Sequence, residues 1–412
     1  MLLRCLFIFF FSITLFLITM HIVVIPSFFP PYGGEFCLEQ SKALHDMGHE
    51  VRIISNVQLS IRKSLREFLF FDYQRRFTTM QGIPLYQSYM RGVPMTIRPN
   101  VNRWVKIVRS MYKDYVSQYG RPDILHAHCA KWAGYAAMLI SEEEKIPYVV
   151  TEHLSAMTLR EEFGNDEEHT WQIPLLRKVY ENADQMITVS EEVVDTLSPF
   201  FGKNYKWTAI SNMIDVDFFS YRQRKSREGR AFCFVCLGNF IYRKGYDILF
   251  EAFQIVHDHY PTTNLYIAGE GTDGKACRRM YSNLSCATSI FACGRLDQNA
   301  VRELLYQSDS LVLATRDETQ GLVLLEAMST GIPVVTTEAV PINVRIHNGC
   351  YVVPVNNAKA LAHNMCEVIQ NPFKDGKELS NAVRERVSPQ VIASQLDKVM
   401  KDCLSSYSNK ER

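Results

Sequence analysis

A chain of 412 residues is too long for one ordinary core, and its length predicts two packed domains. With 47% hydrophobic and 22% charged residues and no long low-complexity tract, the composition excludes large-scale disorder. A formal net charge of +1 gives no case for nucleic acid as a partner, although residues 51–113 form a local basic face with twelve Lys/Arg against Glu67 and Asp72.

Residues 1–19 (MLLRCLFIFFFSITLFLIT) hold one charge, Arg4, and have the apolarity of a signal peptide or a membrane anchor. No small-x-small cleavage site follows, and His21 to Pro26 (HIVVIP) already reads as a buried first strand. Met20 is therefore the expected functional start, with a genuine N-terminal anchor as the alternative, and 1–19 is set apart as a hydrophobic extension.

After the first strand comes Pro30-Pro31-Tyr32-Gly33-Gly34-Glu35. Paired glycines let backbone approach a phosphate or sugar closely, here just ahead of a helix from Glu35 to Met47 that Gly48 stops; an ordinary turn is the competing reading. Residues 60–77 (SIRKSLREFLFFDYQRRF), read as a helix, place Ile61, Leu65, Phe68, Leu69 and Phe77 beside five basic side chains, which suits packing on the first domain or a lipid headgroup surface. Strand-like runs at 51–54, 123–126, 147–151 and 185–189 alternate with helical stretches at 102–118 and 130–144, the pattern of a parallel sheet with crossovers. His126 and His128 close one of these strands and Thr151-Glu152-His153 the next, at carboxyl ends where ligands bind in such folds. Of the two, His126 is expected to be buried in the strand end.

Around 212–230 the periodicity dissolves into a polar stretch ending RQRKSREGR, the expected linker. A second series of strands follows at 231–237, 264–268, 289–292, 310–314, 333–337 and 351–353, with helices at 246–259, 298–307, 321–330 and 358–370. These readings divide the chain into a first domain over 20–215, a second over 216–387, and an amphipathic terminal helix within 388–412 that can pack on either, crossing back to the first. Eleven cysteines, an odd number mostly set in apolar runs (Cys233, Cys236, Cys293), fit reduced, buried thiols of a cytosolic protein. Cys233 and Cys236 form a C-x-x-C inside a strand, with no second pair at zinc-finger spacing, so no metal or redox site is expected there.

The stretch Asp309 to Thr337 (DSLVLATRDETQGLVLLEAMSTGIPVVTT) reads strand, loop, helix, strand. Glu318 then lies beyond a strand's carboxyl end, Gly321 opens the helix, and Glu326 falls in its second turn. Free backbone N–H groups and the partial positive charge of a helix start suit a diphosphate. Carboxylates close by can accept hydrogen bonds from sugar or ribose hydroxyls.

Glu318, seven residues, Glu326, then Ala327-Met328 and Gly331-Ile332-Pro333-Val334-Val335 resemble the donor-binding signature of family 4 of the retaining glycosyltransferases, the group 1 transferases. The resemblance covers nearly all of 20–405 and is loosest between 55 and 120. It implies the α/β GT-B fold, two Rossmann-like doubly wound domains facing a central cleft, with a nucleoside diphosphate sugar as donor substrate and neither a cofactor nor a bound metal required. It also implies that Glu318 meets the donor sugar hydroxyls, that Glu326 binds the ribose, and that backbone amides of Gly321, Leu322 and Val323 hold the diphosphate.

Leu237 to Asp247 resembles the family's strand–loop–helix that carries a diphosphate-binding Arg and Lys. Lys244 matches the Lys; Asn239 stands where the Arg usually follows the first Gly, and Arg243 is the candidate substitute. By the same resemblance Gly33 and Gly34 form the glycine loop, and His128 lies near the reacting sugar and the acceptor. Asn212 to Phe218 (NMIDVDF) looks like the family's Asn-Gly-Val-Asp linker motif, with a structural role, and Arg295 is either a nucleotide contact or a surface residue. The pattern departs at Thr319-Gln320, where Gly-Phe is usual, a change expected to touch sugar contacts.

The implied activity is retaining glycosyl transfer to a hydroxyl, with His128, Lys244 and Glu318 as the catalytic set. The expected acceptor is a glycan or lipid-linked intermediate of capsule, O-antigen or lipopolysaccharide synthesis, met by peripheral membrane contact at the inner face of the cytoplasmic membrane. The alternatives are a GT-B nucleotide-sugar epimerase and a non-catalytic sugar-nucleotide-binding protein.

Overall fold

A computed structural model describes residues 19–410 except 62–64, 95, 164–169, 224–228 and 347. The reading of the apolar extension falls on residues 1–18, and that of Arg62 and Lys63 on 62–64, both outside the described residues.

The first half builds an eight-stranded sheet in the order β3-β4-β2-β1-β5-β6-β7-β8. Its strands are β1 (His21–Pro26), β2 (Glu50–Leu59), β3 (Arg76–Met80), β4 (Ile83–Arg91), β5 (Ile124–His128), β6 (Tyr148–Glu152), β7 (Gln185–Thr188) and β8 (Trp207–Ala209). Every pairing is parallel except β3 with β4. Side chains alternate between the two faces of β1. Val23 and Ile25 point to a core with Trp104, Tyr112 and Ile140, whereas Ile22 and Val24 point to one with Leu38 and Leu44 of α1 (Glu35–Asp46).

The expected helix over 60–77 is not formed. α2 is only Leu65–Phe70, and the chain then enters β3, which pairs antiparallel with β4 through a turn at Gln81 and Gly82, both at positive φ (49° and 87°). The second half holds a six-stranded, wholly parallel sheet in the order β11-β10-β9-β12-β13-β14, with strands at Ile290–Gly294, Thr263–Ala268, Phe232–Leu237, Ser310–Leu313, Val334–Thr337 and Cys350–Val353 respectively. These runs are buried on both sides by helices, which is why they read as nearly continuous apolar segments.

The chain passes between the halves twice, and the two passages touch: Ile214 N–H donates to Val387 O at 3.2 Å. The last helix, Pro389–Lys410, follows the second passage and packs against α1, burying Ile392, Leu396 and Met400 in the core of the first half. His49, buried at the start of β2, meets Asp397 of that helix at 2.9 Å. No helix among the described residues is long and apolar enough to cross a membrane.

Candidate active site between the two halves

On the first half the site begins at the loop between β1 and α1. Gly33 and Gly34 have φ of +97° and +85°, and a Cβ on Gly34 would sit 2.2 Å from Phe28 O. Only glycine lets the chain turn this tightly into the start of α1. Two residues on, Phe36 stacks on the His153 ring with centroids 3.9 Å apart.

His126 and His128 are both buried, so exposure does not separate them as the sequence suggested. Their partners do. His126 Nε2 is tied to Thr151 Oγ1 at 2.7 Å, whereas His128 Nδ1 lies 3.2 Å from His153 Nε2. Burial pushes His126 and His153 down to about 3, and it holds His128 well below the usual histidine value with the neighbouring rings adding to the shift. All three rings are therefore neutral at physiological pH. His128 Nε2 is buried without a protein partner, an omission that costs about 1–3 kcal/mol and asks for a ligand or a water.

Glu152, placed at a strand end by the sequence but given no role of its own, organises this corner. Its Oε1 accepts from the backbone N–H of His153 (2.8 Å) and Leu154 (3.2 Å), and its Oε2 from Ala130 N–H (3.1 Å) and the Tyr180 hydroxyl (2.8 Å). Four donors satisfy the buried carboxylate and pin the turn after β5, where Cys129 and Trp132 both hold positive φ.

On the second half, Gly321 takes φ +79° at the start of the helix Leu322–Ser329, and a Cβ there would lie 2.8 Å from Leu324 Cδ1. The helix terminus with the amides of Leu322 and Val323 stands beside Glu318 on the preceding loop. Lys244 Nζ lies 2.5 Å from Glu318 Oε2, with both side chains almost buried. Arg316 holds the Lys244 turn in place: its guanidinium donates to Tyr242 O (2.8 Å) and Asp247 Oδ2 (2.6 Å), and its backbone N–H to Arg243 O (2.7 Å). Asn239 is exposed, and its Oδ1 accepts from Glu270 N–H at 3.0 Å, fixing the neighbouring turn.

Glu326 is half-buried, and burial, then the charge of Glu39, pushes its carboxyl up to about 7. Glu39, on α1, is itself pushed up to about 7 by burial, then by Glu35 and Asp215. A cavity of about 1030 Å³ between the halves is lined by Pro30, Glu35 and Glu39 from one side and Arg295 and Gln298 from the other, with Asp215 at the passage.

Side chains of the second half reach across, Asn343 among them, whose Nδ2 donates to Val189 O and Ser211 Oγ (both 3.0 Å). Arg243 Nη1 donates to Ser155 Oγ (3.2 Å), Asp317 Oδ2 accepts from Met157 N–H (3.1 Å), and Gln320 pairs with the backbone of Asn212 through both ends of its amide (2.9 and 3.2 Å). Arg243 thus serves the interface in this structure. Gln320, at the position expected to touch the sugar, is buried and committed to the linker instead.

Two mainly parallel α/β sheets are joined by two passages; the second half carries a carboxylate–lysine pair beside a helix start, and the first carries a histidine pair. The family description "Glycosyltransferase Family 4" matches residues 33–218, and "Glycosyl transferases group 1" matches residues 217–386. The chain belongs to this family of glycosyltransferases, and its fold is GT-B. Among curated relatives, the glycogen synthase of Mycobacterium tuberculosis is 28% identical over 235 residues, 56% of this chain; the chain spans only 55% of that relative's length. The N-acetyl-alpha-D-glucosaminyl L-malate synthase of Bacillus anthracis is 25% identical over 92% of this chain and 97% of its own. The solved sucrose-phosphate synthase of Thermosynechococcus elongatus superposes with a TM-score of 0.74 at 18% identity, covering 94% of this chain and all of that one (100%).

Proposed function

We propose that this glycosyltransferase takes a sugar from a nucleoside diphosphate sugar and transfers it, with retention of anomeric configuration, to a hydroxyl of a glycan or lipid-linked acceptor in cell-surface glycan synthesis. The observation that carries the reading is the buried Lys244–Glu318 pair beside the helix start at Gly321–Val323, with Glu326 in the same helix; His128 and the Gly33–Gly34 turn are read as the facing wall. In this reading Lys244 and the helix amides stabilise charge on the departing diphosphate, a preorganised electrostatic effect of the kind that dominates group transfer. Glu318 positions the sugar, Glu326 accepts from ribose hydroxyls, and His128 meets the sugar from the acceptor side, so that orientation supplies much of the remaining rate enhancement. Neither a metal nor a further cofactor has a role in this scheme.

A lipid-linked acceptor is favoured by α2, where Leu65, Leu69 and Phe70 are exposed (Phe70 by 81%) beside Arg66 and Arg91. Apolar side chains among cations suit an anionic headgroup layer, which would hold the enzyme at the inner face of the cytoplasmic membrane.

The experiment is incubation of residues 20–412 with a panel of nucleotide sugars, with and without membrane lipid extract, following nucleoside diphosphate release and the anomeric proton of the product by NMR. Release that depends on acceptor, with the donor's anomeric configuration kept, is the expected result. Release from donor and water alone, an inverted product, or turnover that survives Glu326→Ala would each refute the proposal.

A further inference from the structure

The polar chain between the two walls has a direction. Asn212 is buried in the passage between the halves, with its backbone gripped by Gln320. Its side chain is oriented by Gln40, whose Nε2 donates to Asn212 Oδ1 at 3.2 Å. The Asn212 NH2 is thereby turned to His153 Nδ1, 3.5 Å away, at the long end of hydrogen-bond range. An amide NH2 only donates, so His153 Nδ1 carries the lone pair and the single proton of that neutral ring sits on Nε2. From Nε2 it is shared with His128 Nδ1 at 3.2 Å, and His128 in turn carries its proton on Nε2, the buried atom that no protein group meets.

Resting on the reading of the cleft as a sugar-transfer site, we infer that Asn212 is a positioning residue that fixes the tautomer of His128, so that His128 offers Nε2–H as a hydrogen-bond donor to a sugar oxygen. Burial keeps both rings neutral, which is the condition for a single defined proton on each. In that tautomer His128 Nε2 cannot accept a proton: the ring aids transfer by donating to an oxygen and leaves the acceptor's proton to another group.

Long-range proton–nitrogen NMR correlations of the histidine rings in the full chain test this. The wild type is expected to show His128 and His153 both protonated on Nε2. In Asn212→Asp the carboxylate accepts from His153 Nδ1–H, the pair inverts, and His128 Nε2 becomes a lone pair. Turnover then falls tenfold or more, while affinity for the nucleoside diphosphate stays within twofold because the opposite wall is untouched. A wild-type His128 protonated on Nδ1 overturns the inference, even if the variant fails to fold. An inverted pair with full turnover overturns it as well. A wild type with the expected tautomers that turns over no nucleotide sugar refutes the proposed function and leaves the tautomer assignment standing.

Discussion

Lys244 and Glu318, 74 positions apart, hold each other at 2.5 Å, with side-chain exposures of only 13% and 11%. Each would otherwise leave a charge in a poorly solvated place, so the pair keeps the site electrically balanced; on the proposed reading, a diphosphate would share or displace Glu318 to reach the ammonium.

The first prediction follows from that pairing. Lys244→Met or Glu318→Gln alone should lower unfolding free energy by about 2 kcal/mol, between the limits for exposed and buried pairs. The double variant should lose less than the sum of the two, as expected for groups in direct contact. Lys244→Met should also reduce kcat/KM by roughly a hundredfold, the scale for removing one preorganised charge-stabilising donor. Urea titration and donor turnover measure the two effects separately.

Glu326 should make donor binding pH-dependent. Its carboxyl is raised to about 7, and only the ionised form accepts from both ribose hydroxyls, so affinity for the nucleoside diphosphate should rise about tenfold between pH 6 and pH 8. Glu39→Gln removes the charge that contributes to the rise and should move the transition to lower pH. For stability the sign is opposite: a carboxyl whose folded value lies above its unfolded one binds more protons when folded. Its contribution is full below about 4.5 and is lost as pH rises through about 7. Calorimetric titration at several pH values checks binding, and denaturant midpoints at the same values check stability.

Leu396 anchors the terminal helix in the core of the first half and is wholly buried. Leu396→Ala should cost about 2–5 kcal/mol, the range for emptying a packed leucine site. The exposed Ser405 on the same helix gives a control: Ser405→Ala should stay within about 0.5 kcal/mol. Equilibrium unfolding monitored by circular dichroism distinguishes them.

For membrane contact, Leu69→Ser with Phe70→Ser should weaken binding to vesicles rich in anionic lipid at least fivefold while leaving the donor affinity unchanged. Equal sedimentation of the variant and wild-type proteins with such vesicles would remove α2 from the acceptor reading.

The second half was legible almost strand by strand, because a parallel sheet covered by helices leaves apolar runs such as Phe232 to Leu237 bounded by turns. The β3–β4 hairpin was not. β3 is mostly exposed and polar (RFTTM) and β4 carries Pro84; the apolar spacing does give a helix at Leu65–Phe70, but the end of the expected 60–77 helix, Arg76 and Phe77, is taken into edge pairing with β4. At the site, Glu318, Lys244 and Glu326 could be named from local motif. Glu152 and Gln320 could not, since their roles rest on partners brought close only by the fold: Gln320 meets Asn212 across 108 positions.

The paired passages at Ile214 and Val387 join the two halves along one line. A single tether would let one half swivel and slide over the other, whereas two crossings held side by side, the second at the end of the helix Gly376–Val387, are expected to limit that freedom. Any opening would then turn about that line and have to part Arg243 from Ser155 and Asp317 from Met157, and because Gln320 grips Asn212 beside it, a change of angle is expected to reach the histidine pair as well.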